Sequence, residues 1–152
     1  MIARAFISLI ILLILRGVFK IFSGQIFELY HVFIILLAFY TGYWEGFIFS
    51  LIAGYLIGSL SGIPCGEYAF SFPTLFTVTF MLKNVLNPEN KWVWVLLPFI
   101  GTFLNFFSAG IIRLFSGLMY EVHYYLILNA LISVVLLNFI NFWWRRNVVP
   151  SS

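Results

Sequence analysis

The sequence predicts an all-α integral membrane protein, a compact bundle of about six transmembrane helices forming a single domain over residues 1–152. Three observations carry that expectation. Hydrophobic residues make up 63% of the chain and charged residues 9%, with mean hydropathy +1.08, whereas soluble domains carry roughly 25% charge. Runs such as Leu9–Leu15 and Val32–Phe39 are continuously apolar, where a membrane barrel would alternate apolar and polar positions. A bilayer core about 30 Å thick takes about 20 apolar residues per helix, so about six spans fill the chain and leave no length for a soluble catalytic domain.

The first span runs from about Ile2 to Phe22 and breaks at Ser23-Gly24-Gln25. It is read as retained, because no small-x-small cleavage site follows its apolar stretch. Arg16 and Lys20 fall in its last turns, where long stems reach the interface and cations favour the helix C-terminus. The second span covers about Glu28 to Tyr40 and the third about Tyr43 to Leu60. The very short link at Thr41-Gly42 makes them an antiparallel pair or a broken helix. "SGIPCGEY" then supplies two glycines and a proline, which mark a loop. The fourth span covers about Ala69 to Leu86, with Pro73 near its start, where the missing N–H does least harm. "NPENK", Asn87 to Lys91, is the polar turn that follows. The fifth runs from Trp92 to about Ile112 with Pro98 inside it, a position expected to kink the helix. The sixth covers about Tyr124 to Trp144 and closes on "FWWRRN", aromatic anchors followed by two arginines.

Six spans place both termini on one side. With that side cytoplasmic, Arg4, Lys83, Lys91, Arg145 and Arg146 lie inside against Arg16, Lys20 and Arg113 outside, the direction the positive-inside rule favours. The net charge of +3 contains no basic run of the kind that binds nucleic acid, and the single Cys65 excludes an internal disulfide.

The stretch "GYWEGFIFSLIAGYLIGSLSG" places a small residue at every fourth position: Gly42, Gly46, Ser50, Gly54, Gly58 and Gly62. Glycine within a helix costs roughly 1 kcal/mol relative to alanine, so this repetition needs a structural cause. Residues four apart share a helix face, and a small-residue stripe lets a second backbone come close. Two occupants are open at this point, a neighbouring helix of the same chain or a docked partner protein.

"GYLIGSLSGIPCG", Gly54 to Gly66, resembles the signature of the MreD family of rod-shape-determining inner-membrane proteins, a pattern close to G-L-L-x-D-L-L-S-G-x-P-x-G. Gly54, Leu56, Leu60, Ser61, Gly62, Pro64 and Gly66 stand at the pattern's positions, while its acidic position holds Gly58. Asn129-Ala130-Leu131 and the terminal Arg145-Arg146 are similar to the family's last helix. The resemblance implies six spans, and the size and six-span layout are also those of the substrate-capturing subunits of energy-coupling-factor transporters. It also implies a place in the bacterial cell-elongation (rod) complex, in contact with an MreC-like single-span protein, the MreB-linked machinery and the wall glycosyltransferase and transpeptidase of peptidoglycan synthesis.

Reactive groups are few: five glutamates, no aspartate, two histidines and one cysteine. Glu28 and His31 share a helix face three residues apart, placed for a proton relay or ion site or, as expected here, marking the interfacial start of the second span. Glu121 and His123 sit two apart at a helix entrance, and neither pair has metal-ligand spacing. Glu45 and Glu67 each open a helix, where a carboxylate favours the dipole and is also available to a partner's basic residue. Arg113 is expected to pair with Glu121 or a phospholipid phosphate. Asn105, Asn129, Asn138 and Asn141 are expected to tie helices together. The resulting expectation is a non-catalytic scaffold without cofactor or metal, multi-pass in the bacterial inner membrane among membrane lipids, with no nucleic-acid partner. The alternative is a vitamin-type substrate-binding subunit of an energy-coupling-factor transporter, its polar pocket lined by Glu67, Tyr68 and Asn105.

Overall fold

The computed structural model describes residues 7, 10, 11, 14, 29–61, 65–86, 90–115, 117 and 126–148. Five helices are described and no strand: α1 Tyr30–Tyr40, α2 Tyr43–Ser61, α3 Cys65–Val85, α4 Val93–Phe115 and α5 Leu126–Val148. The expected first span lies outside the described residues, apart from Ile7, Ile10, Ile11 and Ile14, which are helical and exposed. Arg4, Arg16, Lys20, Glu28, Gly62, Pro64, Asn87, Glu89, Glu121 and His123 also lie outside them.

Helices α2, α4 and α5 are long and apolar enough to cross a membrane. The surface agrees with that solvent. Large apolar side chains such as Ile48, Leu56, Phe103, Phe107, Val135 and Phe139 stand exposed on these helices, as they do where lipid replaces water.

Helix α1 is the centre. Its sequence is apolar on every side, and every residue from Tyr30 to Ala38 is buried, the expected fate of a helix without a polar face. Its 11 residues rise only about 16 Å, roughly half a bilayer core. The turn at Thr41-Gly42 reverses the chain, so that Phe33 and Phe49, placed symmetrically about Thr41, bring their rings to 6.0 Å. Thr41 closes α1 by donating both its backbone N–H and its hydroxyl to the Leu37 carbonyl.

Chain direction alternates from α2 onward, and α1 runs parallel to α3 and α5. Tyr30 meets Tyr68 and Phe72 near the start of α3, Phe39 meets Trp94 at the start of α4, and Tyr40 donates to Asn141 of α5 at 2.6 Å. The bundle therefore has two distinct ends. All five tryptophan positions, 44, 92, 94, 143 and 144, fall toward the end where α1 and α3 finish, and exposed Trp44 and Trp92 stand there as interfacial aromatics do.

Pro73 departs from its expected place near the start of its helix, while Pro98 lies inside its helix as expected. Helix α3 starts at Cys65, one turn before Ala69, which puts Pro73 inside the helix. Helix α4 continues through Pro98 to Phe115. Proline at position 98 leaves the Trp94 carbonyl without its helical N–H, and Asn138 of α5 directs its side-chain Nδ2 at that oxygen from 3.4 Å. A neighbouring helix thus supplies the donor that the proline removes, the means by which membrane helices tolerate proline.

Candidate functional site

Two seams of α3 contain Gly46, Gly54, Glu67, Asn105 and Arg113 among the residues singled out by sequence. The first joins α3 to α2. Gly46, Ser50, Ala53, Gly54, Ile57 and Gly58 form the buried face of α2, and the small-residue stripe is occupied by α3. A Cβ on Gly54 would meet the backbone carbonyl and carbonyl carbon of Tyr68, and one on Gly46 would meet the Phe76 ring and the Thr41 hydroxyl. Ser50 returns its hydroxyl to the Phe47 carbonyl at 2.7 Å, which lets a polar side chain be fully buried there. The first residue of the stripe differs: Gly42 is exposed with open space around it, and the same holds for Gly66 in the first turn of α3. Gly62 and Pro64 of the signature lie outside the described residues, and Ser61 is the last residue of α2.

The second seam joins α3 to α4 and is polar. Arg113 grips Glu67 in a two-pronged arrangement, Nε to Oε2 and Nη2 to Oε1, both 2.9 Å. The Glu67 side chain is fully buried and that of Arg113 is 23% exposed. Glu67 lies in the first turn of α3 and Arg113 in the last turn of α4. Each charge therefore faces the favourable pole of its own helix as well as its partner. Glu121, one expected partner of Arg113, lies outside the described residues, while Glu67 is enclosed in the bundle instead of being offered to a partner. Glu45, by contrast, is exposed at the start of α2.

One turn deeper, Ser71 donates to Asn105 Oδ1 at 2.9 Å, both side chains buried. Deeper still on the same face of α4, Thr102 lies 3.0 Å from Nε2 of His31. The Thr102 hydroxyl donates to the Pro98 carbonyl, so the imidazole contact needs Nε2 as the donor. His31, expected at an interfacial helix start, is instead fully buried in the bundle.

At the tryptophan end, Lys83 donates to the Ala38 carbonyl at 2.7 Å and sits 3.9 Å above the centre of the Phe80 ring. Ala38 is in the last turn of α1, where a cation meets the negative helix pole. Asn105, Asn138 and Asn141 each join two helices. The Asn129 carbonyl receives the Ser133 hydroxyl within α5.

Chemically this is an arrangement for holding helices. Activation of a serine needs its hydroxyl directed at a base, and Ser71 donates its hydrogen bond to an amide oxygen. Among the described residues no three His, Cys, Asp or Glu side chains are grouped as metal ligands. The pairings Glu67 with Arg113 and Ser71 with Asn105 did carry a signal in the sequence: both are centred on the Asn87–Lys91 turn, as antiparallel helix neighbours must be. Comparison of the chain with protein-family models, with curated proteins and with solved structures finds no match.

Proposed function

We propose that this chain is a non-catalytic scaffold subunit of the bacterial cell-elongation complex, a six-span inner-membrane protein similar to MreD that docks an MreC-like single-span protein and the peptidoglycan-synthesis enzymes. The observation that carries the reading is the stretch Gly54–Gly66, whose spacing resembles the family signature and whose first glycine lies against the backbone of Tyr68 in α3. A signature read this way builds the α2–α3 hairpin, and Gly58 at the family's acidic position fits a buried place on that hairpin. The commitment of Glu67 to Arg113 and of Asn105 to Ser71 favours the scaffold over a vitamin-type substrate-binding subunit, which would direct those groups at a ligand.

In this reading the tryptophan end, with Lys83, Lys91, Arg145 and Arg146, faces the cytoplasm together with both termini, following the positive-inside rule. The docking surface then has to be found outside the glycine seam, and exposed Glu45 beside exposed Trp44 is its first candidate. Affinity purification of the tagged chain in mild detergent, followed by identification of co-purifying proteins, tests the reading. Recovery of a single-span periplasmic protein together with wall-synthesis enzymes is the expected result. Recovery of a transporter's ATPase subunits would replace the scaffold with the transporter reading.

A further inference from the structure

We propose that α3 is a conditional membrane span, inserted only because helices on either side of it in the bundle complete its polar groups. Helix α3 has 21 residues, enough to cross, yet it is not among the helices apolar enough to do so. It carries Glu67 near one end, Lys83 near the other, and Ser71, Thr74, Thr77 and Thr79 between them. Thr74 satisfies itself on its own helix through the Phe70 carbonyl. The charged groups do not: Glu67 is neutralised by Arg113 of α4, and Lys83 is received by the Ala38 carbonyl of α1. Ser71 likewise takes its acceptor, Asn105, from α4.

A charged group carried into the bilayer without a partner opposes insertion, and a partner on the next helix removes that opposition. Arg113 follows α3 in the chain, so α3 becomes stable across the membrane when α4 arrives and the hairpin closes. The order of events gives Arg113 and Glu67 unequal roles. Loss of Arg113 leaves α3 with a buried, uncompensated carboxylate. Loss of Glu67 makes α3 more apolar and leaves Arg113 at the end of α4, partly exposed and able to reach the surface along its stem.

The experiment reads the side of the membrane on which the two ends of α3 lie in the full chain. The sole cysteine is first removed by Cys65→Ser, and Gly66→Cys and Asn90→Cys are then introduced separately. Both sites are exposed, and Gly66 has open space around it. A membrane-impermeant maleimide applied from one side reports each. In the otherwise native chain the two cysteines label from opposite sides. With Arg113→Leu, the share of chains whose Asn90→Cys labels from the Gly66 side rises on the order of tenfold. With Glu67→Leu it does not rise, and with Glu67→Leu and Arg113→Leu together it returns to the native level. Cell-free synthesis into membrane vesicles reads the same distribution before degradation can remove misinserted chains. Native labelling in the Arg113→Leu chain would overturn the proposal, and so would an equal rise with Glu67→Leu, because general destabilisation would then suffice.

Discussion

Helix α3 is held on one side by glycine and on the other by charge, and the two seams solve the same problem differently. Lipid is as apolar as leucine, so burying apolar surface between two membrane helices gives no net drive to associate. The α2 seam answers by shortening distance: Gly54 lets the Tyr68 backbone approach where no side chain fits. The α4 seam answers with polar bonds, Glu67 to Arg113 and Ser71 to Asn105. The first depends on the absence of atoms and the second on their presence. They should accordingly fail in opposite ways, the glycine seam on addition and the polar seam on removal.

The largest expected effect is at the polar seam. Arg113→Leu strands the fully buried Glu67 carboxylate, and removal of one partner from a buried pair costs about 3–5 kcal/mol. Reversible unfolding of the correctly inserted protein in detergent micelles should show that loss. Glu67→Leu should cost less, because Arg113 is partly exposed. The double replacement should lie close to the native protein, since an apolar pair of matching volume commonly equals a buried ion pair. An additive double variant would mean that the two side chains do not act together.

Next comes the glycine seam under addition of a single carbon. Gly54→Ala drives a methyl into the Tyr68 carbonyl, a backbone atom that cannot turn aside, and should cost about 3 kcal/mol, the upper end of ordinary overpacking. Gly46→Ala meets the Phe76 ring and the Thr41 hydroxyl, side-chain atoms that can rotate, and should cost about 1–2 kcal/mol. If Gly54→Ala proved the milder of the two, the α2 and α3 backbones would be farther apart than the seam requires.

The asymmetry between the seams also explains what could be read in the sequence. The glycine stripe was legible because small residues four apart have few other uses in a membrane helix. Its occupant was not, because hydropathy in a bilayer does not distinguish a helix-facing side from a lipid-facing one: Ile57 is buried while Ile48 and Leu56, on the same helix, are exposed. The asparagines were legible as a class of interhelical ties, but the assignment of Asn138 to the carbonyl freed by Pro98 depends on how α5 lies against α4. Arg113 by itself gives no sign of Glu67, because a basic residue at a helix end is adequately explained by the interface alone. Only the hairpin register about Asn87–Lys91, extended from the turn to both helix ends, brings it to Glu67.

A smaller effect is expected one turn into the polar seam. Ser71→Ala and Asn105→Leu remove the two ends of one buried bond, and such bonds between membrane helices are worth about 0.6 kcal/mol on average. A double-mutant cycle on unfolding free energy should return a coupling of that order, well below the coupling of Glu67 with Arg113. Coupling of equal size would mean that charge contributes nothing beyond an ordinary hydrogen bond at this seam.

The smallest effect has the opposite sign and tests where the glycine seam stops. Gly66 is helical and exposed, and a Cβ there meets nothing within 4 Å, so the close approach that constrains Gly54 is absent one turn beyond the hairpin loop. Glycine in a helix lowers stability relative to alanine by roughly 0.8–1.0 kcal/mol in an interior, and by less in a first turn. Gly66→Ala should therefore leave the protein equally stable or raise its unfolding free energy by up to about 0.5 kcal/mol. The same substitution thus destabilises at Gly54 and does not at Gly66, although both belong to the signature stretch. If Gly66→Ala left stability intact but abolished recovery of partner proteins, Gly66 would be preserved for a surface contact and the docking face would lie at the start of α3. If it destabilised the isolated protein as much as Gly54→Ala, close packing would extend through the loop, and the two ends of the stretch would be parts of one seam.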